Sequence, residues 1–496
     1  MRAKVHKLGK GVAIYGAGDA ALALVSFLLL PVYVKGGYLT EADYGALALL
    51  LALETFAKVL CRFGLDGAFM RFYHGEAAAD RRRLASTIFW FLIASNIVVL
   101  GAALAWSSAL AAALFDLPGY LPALRLMLLN TLLSGVVFLP FHAMRLEDRA
   151  TTYATLTFVR SVATIGLRIG LVIGAGLGVA GLYAADLIVT AVLLPALLPW
   201  MRPLVGFTFS REDLGRALRF GLPRVPHGLA QQVLDGGNKL LLGVYVPQAR
   251  LGVYQNGTTL GGAIKFFTAA FETAWAPFYY ATARQPDARE VFRKMTTYGV
   301  AMLALLVAGT VAVARDVVLL VLSPDYLEAV PVVPFIALGM GAQGVYLLTS
   351  IGLNLTGRTE FYPLATAIAA GVGLFSGVLL MPTLGPAGAA IAFCLSFATQ
   401  ATAAFLFAQH VYPMQYESGR IFRVVAAAAL GALLARTLIP EVPPLIGLLS
   451  RGTLTVVVFA AVLWMTGFLR QSERAVLVEI ERRWRTRARV PDGAEP

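Results

Sequence analysis

Leu177-Gly178-Val179-Ala180-Gly181 recurs as Leu384-Gly385-Pro386-Ala387-Gly388, about 207 residues further along the chain. The flanking sequence keeps that register. The same offset sets Asp43-Tyr44-Gly45 on Arg250-Leu251-Gly252, Lys58 on Lys265, and Phe72-Tyr73 on Tyr279-Tyr280. With a small insertion, Tyr15-Gly16 meets Phe220-Gly221, and Arg149 and Tyr153 meet Arg358 and Tyr362. Each match is weak alone, but they are collinear, and self-similarity at one fixed offset marks an internal duplication. It spans about five-sixths of the chain.

Of the 496 residues, 58% are hydrophobic and only 14% are charged, with a mean hydropathy of +0.73. So few charges do not make a soluble surface, and the chain reads as a polytopic membrane protein. A helix needs roughly 20 apolar residues to cross about 30 Å of hydrocarbon. About fourteen such segments follow one another: 12–34, 44–65, 85–107, 121–143, 152–174, 179–200, 219–246, 251–275, 295–315, 329–353, 361–381, 386–409, 421–439 and 446–468. An even number places both termini on one side. About 28 Lys and Arg fall in loops on the N-terminal side, among them Arg71, Arg81-Arg82-Arg83, Arg211, Arg216, Arg219, Arg289, Arg293 and the tail from Arg470 to Arg489. The opposite side holds about five: Lys35, Arg250, Arg315, Arg436 and Arg451. Positive charge is retained on the cytoplasmic side, so both termini are predicted cytoplasmic.

That asymmetry also accounts for the formal charge of +13 without a nucleic-acid partner, because the excess borders anionic lipid. Cys61 and Cys394 lie in different apolar segments, so neither a disulfide framework nor a metal site is indicated. The first apolar run is too long for a signal-peptide core and reads as a retained helix. Short loops leave no room for a soluble catalytic domain.

Six segments per repeat is an even number, so both copies enter the membrane in the same sense and are related by an axis along its normal. The expected architecture is all-α and integral to the membrane. It consists of an N-lobe (residues 1–206), a C-lobe (207–412), an added helix pair (413–469) and a basic tail (470–496), with a central cavity between the lobes. The tail alternates apolar Ala475 to Val478 and Ile480 with charged residues and suits an amphipathic helix on the cytoplasmic leaflet; a purely orientation-fixing role explains it equally well. Trp90, Trp106, Trp200 and Trp464 near segment ends form the expected interfacial belt.

Charges inside apolar segments identify the candidate site, because a charge at the bilayer centre costs a few kcal/mol and must face a cavity or a partner. The seventh segment is the most informative. At 100° per residue, Arg224, His227, Gln231, Asp235, Asn238 and Lys239 share an arc of about 120°, while Leu229, Val233, Leu240 and Leu241 lie mostly outside it. Pro223, Pro226 and Gly236-Gly237 let this segment bend. The alternative is one loop-facing end plus an internally neutral Asp235/Lys239 pair at i,i+4. Glu54, Lys58 and Arg62 follow at i,i+4 on the second segment, and Lys265 and Glu272 share a face of the eighth. Arg160 and Arg168 lie on the fifth segment and Asp186 on the sixth. Tyr15, Asp19, Ser26 and Tyr33 align on the first, and the repeat register sets Asp19 opposite Arg224 as a pairing across the cavity mouth. Arg125 reads instead as snorkelling from a helix end, a reading also open for Arg62.

The seven cations Lys58, Arg62, Arg160, Arg168, Arg224, Lys239 and Lys265 outnumber the acids, so the expected cargo is anionic, and guanidinium forks suit a pyrophosphate. Asp19, Glu54, Asp235, Glu272 and His227 are the gating or ion-coupling candidates. Gly16-Ala17-Gly18-Asp19-Ala20-Ala21 matches a dinucleotide fingerprint but lies in an apolar helix without a preceding strand, which marks helix packing. No phosphate-binding loop motif and no metal-ligand spacing is present in the sequence, so neither ATPase activity, a cofactor nor a metal is expected.

Tyr15-Gly16, Leu29-Leu30-Pro31-Val32-Tyr33, Leu39 to Gly45, Gly64-Leu65 and Arg71-Phe72-Tyr73 resemble the polysaccharide-biosynthesis (Wzx-type) branch of the MATE-like MOP flippase superfamily. Gly385 to Ala392 resembles that superfamily's late-repeat signature. The resemblance implies a non-enzymatic, alternating-access carrier in the bacterial cytoplasmic membrane. Its cargo would be an undecaprenyl-pyrophosphate-linked oligosaccharide, and its partners membrane lipids and the polysaccharide assembly machinery. An added helix pair would then offer an apolar groove to the polyprenyl tail. A peptidoglycan lipid-precursor flippase obeys the same physics. A MATE-type drug exporter would favour twelve helices and an acidic site, and a membrane glycosyltransferase or polymerase would need a large catalytic loop.

Overall fold

The computed structural model describes residues 29–73, 78–147, 149–283 and 285–470. In chain order the helices are α1 (Glu41–Arg62), α2 (Leu65–Phe72), α3 (Ala78–Ala105), α4 (Ser107–Leu114), α5 (Leu121–Ser134), α6 (Phe138–Leu146), α7 (Ala150–Ile169), α8 (Gly178–Ala196), α9 (Leu198–Leu204), α10 (Arg211–Gly221), α11 (Val225–Gln232), α12 (Asn238–Tyr245), α13 (Gln248–Gly261) and α14 (Ile264–Thr282). They continue with α15 (Ala288–Val321), α16 (Val332–Thr349), α17 (Ile351–Leu355), α18 (Phe361–Leu384), α19 (Pro386–Val411), α20 (Ser418–Leu438) and α21 (Pro444–Met465). No strand occurs among the described residues.

Among the described residues, ten helices are individually long and apolar enough to span a membrane, and α5 with α6, bent by 41°, make an eleventh if taken as one span. The sequence predicts about fourteen, and the difference lies in three segments. Of 12–34 only the end from residue 29 is described, 251–275 is divided between α13 and α14, and 219–246 is assembled from α10, α11 and α12. The Gly16 to Ala21 motif and the tail beyond Arg470 lie outside the described residues.

The chain forms two compact units. One holds the described residues up to 288 together with 314–413, the other 289–313 together with 414–470.

In the first unit the repeated phrase has one structural job in both copies. Gly178 (φ 51°) and Gly385 (φ 55°) adopt the left-handed conformations that start α8 and α19, which favour glycine because it lacks a Cβ. Three residues on, Gly181 and Gly388 pack against the backbone of the preceding helix at Leu171 and Leu380. Each phrase is therefore a tight corner between two antiparallel helices.

The repeats also meet reciprocally. A Cβ on Gly45 would overlap the Gln248 carbonyl, and a Cβ on Gly252 would overlap the Glu41 carbonyl. The offset that relates Gly45 to Gly252 also relates Glu41 to Gln248, so α1 and α13 cross about a local pseudo-two-fold axis at their N-terminal turns. The α1 turn is fixed by a capping box in which Thr40 and Asp43 satisfy each other's backbone N–H groups. Tyr120 donates to Asp43 at 3.0 Å, and the Gln248 side chain donates to the Ala42 carbonyl at 2.8 Å.

A second seam runs down α1. Gly243 meets Leu49, Gly236 meets Ala52, Gly228 meets Val59, and Gly221 meets Phe63 and Gly64. These glycines are separated by seven, eight and seven residues. Seven residues nearly complete two α-helical turns, but eight would rotate the next glycine away from α1. The π turn Val233–Gly237 begins inside the eight-residue interval and runs one residue past it, and it absorbs the extra residue, so all four glycines face one helix. At the far end of α1, Phe63 (φ 52°) and Gly64 (φ 68°) are both left-handed and turn the chain into α2. A left-handed non-glycine residue costs about 1–2 kcal/mol; Phe63 is held there by edge-to-face packing on Phe91 at 5.4 Å.

In the second unit, α20 and α21 pair closely at Gly431, which faces the Thr455 backbone. Buried Arg451 donates to the Ile439 and Pro440 carbonyls at 3.1 and 2.9 Å and closes the connection between them. Glu417 accepts from Thr297 at 2.9 Å, Arg420 at 2.9 Å and Arg470 at 2.7 Å. That carboxylate ties the start of the helix pair to α15 and to the beginning of the tail.

Candidate functional site

The first group of charges spans α1, α7 and α8. Glu54 is buried, with 7% exposure, and accepts from Lys58 at 2.6 Å. Arg168 donates through Nε and Nη2 to both oxygens of Asp186, at 3.1 and 2.8 Å. Buried Tyr183 lies within electrostatic reach of Glu54, Arg168 and Asp186, and Tyr33 within reach of Arg168. Two ion pairs and two phenols thus converge from four elements. Bidentate charge-assisted pairing orients as well as neutralises, so Arg168 presents a fixed guanidinium edge.

The second group belongs to α11, α12 and α14. Gln231 lies 3.5 Å from the Asp235 carboxylate, and Lys239 is within electrostatic reach of both Asp235 and Lys265. Among the described residues Lys239 and Asp235 form no ion pair within 4 Å. The π turn between them alters the i,i+4 geometry that such a pair requires. Glu272, exposed on α14, lies near Tyr346. Helix α1 borders both groups, since its Ala52 and Val59 touch Gly236 and Gly228.

The other candidates are placed apart. Arg62 is 3.9 Å from Asp66 and lies over the Phe138 ring at 5.6 Å. Arg160 is half-buried two turns before Arg168, with no carboxylate within 4 Å among the described residues. Arg224 lies beside α2, its guanidinium 3.4 Å from where a Gly67 Cβ would be and 5.3 Å from the Phe220 ring centroid. His227 is half-buried with Nδ1 unpartnered among the described residues. Asp19, and with it the Asp19/Arg224 pairing, falls outside the described residues. Arg125 is held by Ser107 at 2.9 Å.

Sequence periodicity missed Tyr183 and the partnership of Asp186 with Arg168, which joins different helices. It also treated Arg71, Arg216 and Arg219 only as topological charge. The proximity of Arg71 to Phe220 and of Arg216 to Phe72 follows from the packing of α2 on α10.

Duplicated helical halves, buried charge and long apolar helices define a multi-pass membrane protein with the fold of MOP-superfamily transporters. The lipid II flippase MurJ in an inward closed conformation matches with a TM-score of 0.75 at 10% identity, over 91% of this chain and 99% of that one. An inward-facing MATE-family multidrug resistance transporter matches with a TM-score of 0.57 at 15% identity, over 82% and 98%. A MOP-superfamily transporter from Pyrococcus furiosus matches with a TM-score of 0.50 at 18% identity, over 83% and 96%. The polysaccharide biosynthesis protein family model matches residues 38–331. No curated protein sequence matches significantly. The chain belongs to the polysaccharide biosynthesis protein family.

Proposed function

We propose that this protein is an alternating-access flippase that carries an undecaprenyl-pyrophosphate-linked oligosaccharide, an O-antigen or exopolysaccharide repeat unit, across the bacterial cytoplasmic membrane. Both termini lie in the cytoplasm, and no covalent step is performed on the cargo. The observation that carries the reading is the charge lining the helices around α1 in a chain of this family. Lys239 stands near both Asp235 and a second cation, Lys265, and the Arg168 fork is backed by Asp186. Cations concentrated in low dielectric attract a pyrophosphate far more strongly than they would in water. The lining comprises Lys58, Arg168, Lys239 and Lys265, with Arg62, Arg160 and Arg224 standing apart from it. Asp19, Glu54, Asp235, Glu272 and His227 serve gating or ion coupling, and the polysaccharide assembly machinery receives the product.

A peptidoglycan lipid-precursor flippase is the second reading, favoured by the likeness to a lipid II flippase over nearly the whole of both chains. Reconstitution into vesicles with either fluorescent lipid-linked cargo distinguishes them. Translocation of the oligosaccharide carrier supports the first reading, and translocation of the peptidoglycan precursor alone supports the second. Movement of neither, with export of cationic dyes, overturns both.

A further inference from the structure

A cleft of about 660 Å³ lies between α2 and α10, outside both charge groups around α1. Its volume falls in the range of small-ligand pockets, about 300–1,000 Å³. Arg71 contributes from α2, and Arg211, Arg216 and Arg219 from α10, against one carboxylate, Glu212. Arg211, Gly215 and Arg219 follow at i,i+4 on one face of α10. Gly215 leaves the floor open between the two arginines, because nothing lies within 4 Å of its Cβ position.

Two aromatic rings set the orientation of the guanidinium groups. Phe72 and Phe220 pack edge to face at 5.8 Å. Arg71 lies 4.7 Å from the Phe220 centroid, Arg216 lies 5.0 Å from Phe72, and Arg224 lies over Phe220 from outside the lining. A guanidinium near a ring keeps its N–H edge available for a bidentate oxyanion. The nearby buried carboxylate is already engaged: Asp213 accepts from Arg83 at 2.7 Å and from Arg216 at 3.1 Å. Among the described residues, no carboxylate lies within 4 Å of Arg71, Arg211 or Arg219.

We propose that this cleft is a separate phosphate-binding site, recognising the phosphoryl group of an anionic membrane lipid or of a soluble pyrophosphate. It stands independently of the cargo assignment, because its residues are distinct from the charge groups around α1. Occupancy would bridge α2 to α10 beside the close contact of Gly64 with Gly221, where the two repeats meet. The site would thereby couple phosphate or lipid composition to the stability of that contact.

The test uses full-length protein in phosphatidylcholine nanodiscs, with inorganic pyrophosphate titrated calorimetrically. In parallel, the unfolding temperature is measured in nanodiscs with and without phosphatidylglycerol. Wild type is expected to bind pyrophosphate, to be stabilised by phosphatidylglycerol, or both. The Arg71→Gln/Arg219→Gln double variant is expected to lose at least about tenfold in pyrophosphate affinity and most of the lipid stabilisation. Arg358→Gln, a surface control paired with Glu360, should stay within about twofold, and all three proteins should unfold at similar temperatures without either probe. A pyrophosphate response alone assigns a soluble anion, and a phosphatidylglycerol response alone assigns a lipid headgroup. Equal responses in wild type and the double variant, or no response to either probe in wild type, overturn the proposal.

Discussion

Arg168 and Asp186 face each other as a two-point fork, Nη2 to Oδ2 at 2.8 Å and Nε to Oδ1 at 3.1 Å, joining α7 to α8. A hydrogen bond to a charged group is worth about 1.5–3 kcal/mol. Asp186→Asn leaves the guanidinium charge unbalanced in a low-dielectric setting, whereas Arg168→Lys keeps the charge and loses the planar fork. Thermal unfolding should drop by several degrees for Asp186→Asn and less for Arg168→Lys. Cargo translocation should fall about tenfold or more in both. Unchanged translocation in Arg168→Lys would remove the fork from the mechanism.

Gly45 and Gly252 occupy equivalent positions in the two repeats, and each excludes a Cβ by its contact with the other repeat's backbone. Gly45→Ala and Gly252→Ala should therefore give matching defects, each separating α1 from α13. Gly101→Ala, where nothing lies within 4 Å, should be neutral or stabilising by up to about 1 kcal/mol. Cysteine cross-linking between α1 and α13 reports the separation, and a defect in only one glycine variant would contradict reciprocal closure.

The glycine seam makes a graded forecast. Gly221 faces backbone atoms that cannot retreat, Gly228 faces a Val59 methyl at 3.0 Å, and Gly236 sits 3.7 Å from Ala52. Alanine should impair expression and translocation in that order, with Gly236→Ala nearly neutral. Deleting one residue within Val233–Gly237 should restore α-helical hydrogen bonding and leave Gly228 and Gly243 on one face, so translocation should largely survive, whereas deleting a second should rotate Lys239 and Gly243 by about 100° relative to Gly228 and abolish it.

Tyr73, outside the long apolar helices, is pushed up to about 12, first by burial and then by its hydrogen bond to Glu147 at 2.6 Å. The folded state thus keeps the phenol protonated after the unfolded chain has released it. Its contribution is complete below about pH 10 and is lost as pH rises through about 12. Unfolding measured from pH 9 to 12 should show a decline in wild type that is reduced in Tyr73→Phe.

Much of the architecture was legible because membrane insertion forces it: apolar run length and the 207-residue register both follow from chemistry written along the chain. Gly178 and Gly385 show how directly, since each begins the helix its phrase predicts. The site was less legible. Lys58 and Glu54 pair within one helix at i,i+4, which periodicity can read. Arg168 finds Asp186 across a corner, and Arg224 leaves its neighbours on the seventh segment because three short helices and a π turn replace one straight helix. An arc computed at 100° per residue does not survive that break. The Arg–Phe cleft depends on α2 meeting α10 across the repeats, which no local pattern encodes.

The most direct measurement of flippase activity is the leaflet distribution of lipid-linked sugar when the protein is depleted from living cells. An undecaprenyl-pyrophosphate-linked oligosaccharide is expected to accumulate on the cytoplasmic face, an accumulation reversed by wild type and not by a Lys239→Gln/Lys265→Gln variant. Unchanged lipid-linked intermediates, together with altered resistance to cationic dyes, would contradict it.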